Sequence, residues 1–302
     1  MDVEAPVAAY WPEFAAAGKA GITVAHVLSH TAGLPALPGH GRLLAPDGPG
    51  WTDPARVRRL LERAAPEWPP GTRVGYHGLT WGRLVAEIVE RATGTTIGRI
   101  VRDDVAGPLG ADLDLGTPPS THALVATPIP GSRGPLPVHV GPARVAQVLL
   151  AVDGAGLLSR ADAFSTGPRL TAELPAVNGT GTARAVATLY GALAAGTHPR
   201  LRPDTVARMR TERAHGTDQV GGGPVRWGLG VQLNPQRPGA GGLQWGPNPD
   251  AFGTTGAGGQ IGFADPQRRL GVAFVRSHLC ETSALGQRLV AAVYGCLAVL
   301  SS

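Results

Sequence analysis

The sequence predicts an α+β fold, with helices over roughly the first two thirds of the chain and antiparallel strands closed by a C-terminal helix over the rest. Apolar residues recur at helical spacing as far as residue 210. Beyond Gly221 they form short runs interrupted by glycine, as is typical of antiparallel strands. We therefore expect a mainly helical region over residues 1–220 and strands plus a last helix over residues 221–302. The two regions are expected to form one structural unit.

Helix signals recur through the first region. Thr23 precedes a short apolar pattern, and Asp53 with Pro54 provides a favourable helix start. From Trp81 onwards apolar residues follow i, i+3, i+4 spacing until Gly94, a common stop residue. Further helices are predicted over 97–105, 143–152, 182–195 and 204–210.

The strand signals and the last helix fill the second region. Strands are predicted at 227–233, in the stretch that ends at Phe252, at 260–265 and at 270–275. The apolar run 289–300 is too short to cross a bilayer, so it predicts a C-terminal helix packed on the sheet. Residues 107–140, rich in proline and glycine and without periodicity, predict a long surface excursion over a site.

Composition argues against several functions. The net charge is +5 and Lys19 is the only lysine, so a phosphate-binding GxxxxGK loop is absent. The arginines fall on a short helix and in turns rather than along one basic stripe, which argues against nucleic-acid binding. We expect no cofactor, no metal, no membrane span and, because no secretory signal opens the chain as written, a cytoplasmic location. The sequence does not decide whether Cys280 and Cys296 form a disulfide.

The glycine-rich stretch 252–266 is the most unusual part of the chain. Glycine at that density lets another molecule approach the backbone, which favours a ligand-facing strand edge with open NH groups. A tight hairpin without a ligand explains the same glycines. Glycine content alone leaves the two interpretations open.

Six segments resemble, in their sequences and in their order along the chain, the serine β-lactamase-like superfamily, in particular class C β-lactamases and related esterases. They are ITVAHVLSHTAGL from Ile22, PPGTRVGYHGLTWGRLVAEIVERATG from Pro69, GPLGADLDLG from Gly107, LPAVNGTGTARAVATLYGALA from Leu174, RWGLGVQL from Arg226 and FGTTGAGGQIGFADPQRRLGVAFV from Phe252. The resemblance implies a helical domain packed against an antiparallel sheet.

The chemistry that the resemblance implies is acyl transfer from an ester or amide to a serine and then to water. It uses an S-x-x-K motif, a tyrosine acting as base or proton relay, and an oxyanion hole of two backbone NH groups. No S-x-x-K is present, because Ala16 stands three residues before Lys19. The resemblance begins at 4–14, where family members have already passed the nucleophile helix, so this chain looks like a member that starts late.

The resemblance also implies site residues. Tyr76 matches the tyrosine of the family, and Gly78 stands where the Y-x-N form has asparagine. His77 is interpreted either as a proton carrier near neutral pH or, as we prefer, as an exposed neighbour of a site residue. Ser29, His30 and Thr31 are interpreted as a turn held by local hydrogen bonds.

The third motif of the family falls within the glycine-rich stretch. Thr255 and Gly256 fit it, whereas Thr254 replaces the lysine or histidine of the family. The NH group of Ala257 is expected to supply one half of the oxyanion hole.

Three functional hypotheses follow. In the first, the chain is an incomplete serine hydrolase. In the second, it is a pseudoenzyme whose cleft binds a small ester- or amide-like ligand. In the third, it is an enzyme that stabilises an enolate or oxyanion with Tyr76 and backbone NH groups. Covalent hydrolysis by this chain alone is the least favoured activity. If early strands are missing, an unpaired sheet edge and an apolar face of the last helix predict a homo-oligomer or a partner chain.

Overall fold

The structure is a computed structural model that describes residues 1–37, 50–129, 167–235, 242–256, 258–279 and 283–300. The predicted helix over 143–152 lies outside the described residues, as do Cys280 and Ala257. Cys296 is exposed and carries a free thiol.

Within the described residues, α-helices dominate the first two thirds of the chain, as predicted. The α-helices there are α1 Val24–Leu28, α2 Pro54–Arg63, α3 Thr80–Thr93, α4 Ile97–Ile100, α5 Gly167–Thr171, α6 Ala183–Ala195 and α7 Pro203–Met209, and α8 Ala284–Leu300 closes the described chain. Their starts follow local chemistry, because the side chains of Thr23 and Asp53 accept hydrogen bonds from the first-turn amides of α1 and α2. Gly94 ends α3 with φ +71°, which confirms the predicted stop.

The strands form two antiparallel sheets. They are β1 Leu113–Leu115, β2 Gly179–Gly181, β3 Ala214–Thr217, β4 Pro224–Trp227, β5 Gln232–Leu233, β6 Phe252–Thr255, β7 Ile261–Asp265 and β8 Leu270–Phe274. β1 pairs with β2, and the other six lie side by side in chain order. The α+β prediction is confirmed.

Four local predictions need correction. The strand predicted in the stretch that ends at Phe252 begins there instead, since β6 runs from Phe252 to Thr255. The large sheet starts with β3 at Ala214, before the change of character noted near Gly221. The run 227–233 is two strands rather than one, because the chain reverses at Gly230 (φ +78°) so that Trp227 pairs with Gln232. The predicted excursion 107–140 is described only as far as residue 129, and this part contains β1, whose partner strand lies more than sixty residues later in the chain.

The hydrophobic core divides into three clusters. The helical cluster is centred on Trp11, Phe14, Leu61, Leu84 and Ile88, all at most 1% exposed. On the large sheet, α6 covers the face that carries Phe252 and Ala264, and α8 covers the face that carries Ile261 and Phe263. The C-terminal helix therefore packs on the sheet as predicted. None of the helices in the described ranges is long and apolar enough to cross a membrane.

Candidate active site

The loop that carries Tyr76 is held by three successive backbone amides. The amide of Gly75 donates to the carbonyl of His30 over 3.0 Å, and that of Tyr76 donates to Oδ1 of Asp218 over 3.1 Å. The amide of His77 donates to Nδ1 of His30, again over 3.1 Å. The loop has no regular secondary structure, so side chains and carbonyls from distant segments satisfy its backbone.

The Tyr76 ring stands partly in solvent on this anchored backbone. It is 45% exposed and stacks on Trp227, with ring centroids 5.9 Å apart and an interplanar angle of 10°. The ring of His30 lies 5.1 Å away. Desolvation by these neighbours, with the nearby Asp218 carboxylate as a second cause, raises the pKa of the Tyr76 phenol above its usual value of 10.0. The phenol is therefore a hydrogen-bond donor at neutral pH.

Lys19, the only lysine, lies in the helical core and not beside Tyr76. Its side chain is fully buried, and Nζ donates to the carbonyls of Ala16, Glu62 and Ala64. Nζ of Lys19 also lies 5.3 Å from the ring centroid of Phe14. All three ammonium donors are used by the fold, so this amine has no capacity left for proton transfer.

His77 is fully buried, so the interpretation as an exposed neighbour is wrong. Its Nε2 accepts from the amide of Leu34 over 2.9 Å, and its Nδ1 bonds the carbonyl of Gly75. Burial lowers the pKa of His77 to about 4. The ring is a neutral structural link, and no part of it faces solvent.

The glycine-rich stretch forms a hairpin in which β6 pairs with β7 from Phe252 to Thr255. The amide of Gly256 donates to the carbonyl of Gln260 over 2.9 Å, so this NH group of the glycine-rich stretch is used within the hairpin. Oγ1 of Thr255 accepts from the Gln244 side chain. Thr254 is exposed and lies one residue beyond Gly253, where the pairing of β5 with β6 ends.

Sheet register relates Tyr76 to β6. Trp227, on which Tyr76 stacks, pairs with Gln232, and Gln232 pairs with Gly253 next to Thr254. Because neighbouring strands lie about 4.8 Å apart, Trp227 and Gly253 are separated by roughly 10 Å across the sheet. The register therefore brings two predicted site positions, Tyr76 and Thr254, to one end of the sheet.

Gly78 lies directly under the tyrosine. A Cβ atom there would approach Cε1 of Tyr76 to 3.3 Å, which is tighter than most side-chain contacts. Glycine at position 78 therefore leaves the ring the space that it occupies.

Sequence reasoning missed Asp218 and the long-range role of His30. The Ser29 and Thr31 hydroxyls make local bonds, to Ala25 and to each other, as expected for a turn. His30 instead bonds the Tyr76 loop. An Asp followed by Gly three residues later is a turn signal, and Asp218 does accept from the amides of Val220 and Gly221. That signal could have located the turn but not its bond to Tyr76.

Comparisons with known proteins identify the family. A family model described as Beta-lactamase matches residues 1–284. The chain belongs to the Beta-lactamase family. The resemblance inferred from the six sequence segments is thus confirmed.

Relatives of this family member include esterases. The protein "Esterase/beta-lactamase LipL" of Mycobacterium tuberculosis (strain ATCC 25618 / H37Rv) is 32% identical over 316 residues, and the match covers 92% of the present chain. The chain spans 63% of the length of this curated relative.

Solved structures show the same fold. A family VIII carboxylesterase is 33% identical, with a TM-score of 0.81, over 98% of this chain and 77% of its own. A penicillin-binding protein homologue from Caulobacter crescentus is also 33% identical, with a TM-score of 0.81, over 98% and 76% of the two chains. EstA from Arthrobacter nitroguajacolicus Rue61a is 28% identical, with a TM-score of 0.81, over 100% and 79%.

Proposed function

We propose that this Beta-lactamase family member binds a small ester- or amide-like ligand against Tyr76 and Thr254 and does not form an acyl-enzyme with its own residues. The observation that carries the proposal is the position of Lys19. A serine nucleophile needs a nearby base, and the only lysine of the chain is bound to three carbonyls in the helical core. The given sequence offers no second lysine to accept the proton of a serine.

Tyr76 supports ligand binding more than general-base chemistry. A tyrosine acts as a base only when its phenol ionises near the working pH, and desolvation by the neighbouring rings together with Asp218 raises the pKa of Tyr76 above its usual 10.0. A protonated and partly exposed phenol is suited to donate a hydrogen bond to an ester or amide carbonyl. The exposed Thr254 hydroxyl supplies a second polar group at the same end of the sheet.

The protonated phenol also favours a second candidate function, non-covalent catalysis. A donor held in place before the reaction stabilises an enolate or oxyanion as charge develops on oxygen. This function needs the same residues as ligand binding. The two are separated by whether a bound compound is converted.

The first experiment tests covalent chemistry. The purified chain is incubated with p-nitrophenyl butyrate and with a chromogenic cephalosporin, and absorbance and intact mass are recorded. We expect no burst of product and no mass increase equal to the acyl group. A burst accompanied by a stable acyl adduct would refute the proposal.

The second experiment tests binding with a ketone isostere of p-nitrophenyl butyrate, in which CH₂ replaces the ester oxygen. Isothermal titration should show binding that weakens roughly fivefold to tenfold in Tyr76→Phe, because one hydrogen bond contributes about 1 kcal/mol. Tyr10→Phe is the matched control, since the Tyr10 hydroxyl bonds the backbone of Asp2. Equal affinities of the wild type and Tyr76→Phe would remove Tyr76 from the site.

A further inference from the structure

The backbone of Tyr76 is fixed by two residues that are far from it in sequence. His30 accepts from two of the three loop amides, through its carbonyl and through Nδ1. Asp218 accepts from the third through Oδ1. Next to these bonds, the amide of Gln219 donates to the carbonyl of Val74 over 2.9 Å, which joins the same two segments a second time.

Asp218 is itself immobilised. It is 4% exposed, and the same Oδ1 accepts from the amides of Val220 and Gly221 over 2.7 and 2.9 Å. A buried carboxylate that accepts several backbone hydrogen bonds is held in one orientation. Any displacement of Asp218 would therefore be transmitted to the Tyr76 amide.

His30 is held at a conformational cost. Its φ is +60°, in the left-handed region that costs a non-glycine residue about 1 kcal/mol. Its ring is 3% exposed and packs edge-on against Trp227, with centroids 4.2 Å apart. This conformation lets the carbonyl and the ring of one residue bond the same loop, and those bonds compensate for the strain.

These contacts leave a tyrosine that is 45% exposed on a loop whose three successive amides are all hydrogen-bonded. A tyrosine needed only for packing would bury its ring, since burial of an aromatic side chain is the main source of its stabilising effect. Here the bonds instead fix the direction in which the phenol points.

We propose that His30 and Asp218 are positioning residues for Tyr76, which lock the amides of residues 75–77 so that the phenol is held partly exposed against Trp227. The inference rests on the proposed function in one respect, namely that this phenol contacts the ligand. The orientation itself can be tested in the free protein.

The test uses protein labelled with 3-fluorotyrosine and ¹⁹F NMR. The chain has four tyrosines, and Tyr76→Phe identifies the Tyr76 resonance. Asp218→Ala and His30→Ala should shift or broaden this resonance alone, leaving those of Tyr10, Tyr190 and Tyr294 in place. Because a misfolded variant would move all four resonances, the other three report whether the fold is intact.

Conservative variants provide the rescue. Asp218→Asn keeps an oxygen acceptor at Oδ1, and His30→Asn places an oxygen close to the position of Nδ1 and tolerates positive φ. We expect both to retain the wild-type Tyr76 resonance and to bind the ketone isostere within about twofold of wild type. The two alanine variants should bind it roughly tenfold more weakly. Asp204→Ala, in the exposed first turn of α7, is the matched control.

The outcomes separate the two proposals. An unchanged Tyr76 resonance in Asp218→Ala and His30→Ala would overturn the positioning role, whatever the ligand does. Asparagine variants that behave like the alanine variants would overturn it as well, since the acceptor atoms would then not matter. A Tyr76 resonance that moves as expected in a protein that binds no ketone would support the positioning role and refute the proposed function.

Discussion

His77 donates its backbone amide to Nδ1 of His30 over 3.1 Å, and the two imidazole rings are buried with their centroids 5.6 Å apart. Each ring uses a nitrogen lone pair as an acceptor, Nδ1 in His30 and Nε2 in His77. A proton on either nitrogen would replace the acceptor by a donor facing an amide. Among the described residues, the neutral Tyr76 phenol lies beside His30, and Asp218, whose carboxylate already binds three amides, holds the amide of Tyr76.

The first prediction is a loss of stability in mild acid. Burial lowers the folded-state pKa of both histidines, that of His77 to about 4 from 6.5. Below pH 6.5 the unfolded chain therefore binds protons that the folded chain excludes, so the free energy of unfolding falls as the pH drops from 6.5 towards 4. His77 alone should cost about 2 kcal/mol between pH 7.5 and pH 5, measured by urea denaturation.

Two variants isolate this effect. In His77→Gln the loss between pH 7.5 and pH 5 should shrink by that amount, since the titrating group is gone. His30→Gln should reduce the loss as well, because burial also lowers the folded-state pKa of His30. An identical pH dependence in wild type and His77→Gln would contradict the prediction.

The second prediction concerns the chemical accessibility of Lys19. Because its ammonium is fully buried and bound to three carbonyls, a succinimidyl ester should modify only the α-amino group of the folded protein. Lys19 should react only after unfolding, and peptide mass spectrometry separates the two sites. Rapid modification of Lys19 in the folded protein would show that the amine is free, and the argument against covalent catalysis would fail.

The same buried amine should matter for stability. Lys19→Met keeps the length of the side chain but leaves three carbonyls without their donor, which should cost roughly 3 kcal/mol. Arg99→Met, at a side chain that is 72% exposed, is the control and should change the free energy of unfolding by less than about 0.5 kcal/mol. Denaturant titration of both variants measures the difference.

Local signals and long-range pairing explain what the sequence could predict. The starts of α1 and α2 and the end of α3 depend on residues within one helical turn, such as Thr23 and Gly94, and these predictions are confirmed. The pairing of β1 with β2 and the bond from Tyr76 to Asp218 join residues that are 60 or more positions apart. Neither leaves a periodic pattern in the sequence around it.

For the candidate site too, local features were predictable from the sequence and long-range contacts were not. Family resemblance predicted Tyr76 and Thr254 as site residues, and the stack of Tyr76 on Trp227 together with the sheet register brings both to one end of the sheet. The resemblance did not reveal that His77 is buried. Its burial follows from its contacts with Leu34 and Gly75 and not from its position next to Tyr76 in the sequence. Nor did it reveal that the Gly256 amide is bonded within the hairpin, since glycine content is the same with or without that bond.

The third prediction tests how α6 approaches the sheet. A Cβ atom at Gly271 in β8 would overlap the backbone of Ala187 and Gly191 in α6. Gly271→Ala should therefore destabilise the protein by roughly 2–4 kcal/mol, because backbone atoms cannot give way as a flexible side chain can.

Gly295→Ala in α8 is the matched control, since nothing lies within 4 Å of its added Cβ. It should raise stability by about 0.5–1 kcal/mol in the same denaturation experiment. Equal effects of the two changes would contradict this packing.

The last prediction concerns the outer face of α8. Leu285 and Leu289 are 45% and 44% exposed, Val299 is 74% exposed, and Arg288 is the only charged residue of the helix. β8, which lies beneath this region, is the last strand of the sheet order and pairs only with β7 among the described strands. We propose that a second copy of the chain covers this face, because a largely uncharged apolar surface favours association.

Multi-angle light scattering should then show a dimer or larger species at about 50 µM that dissociates on dilution, as mass action requires. Leu289→Glu should shift the protein to the monomer, since a buried carboxylate at the interface is costly. Leu124→Glu, at a leucine that is 83% exposed outside α8, should leave association unchanged. A wild-type protein that stays monomeric at every concentration would contradict self-association. Equal effects of Leu289→Glu and Leu124→Glu would show that the contact does not involve the outer face of α8.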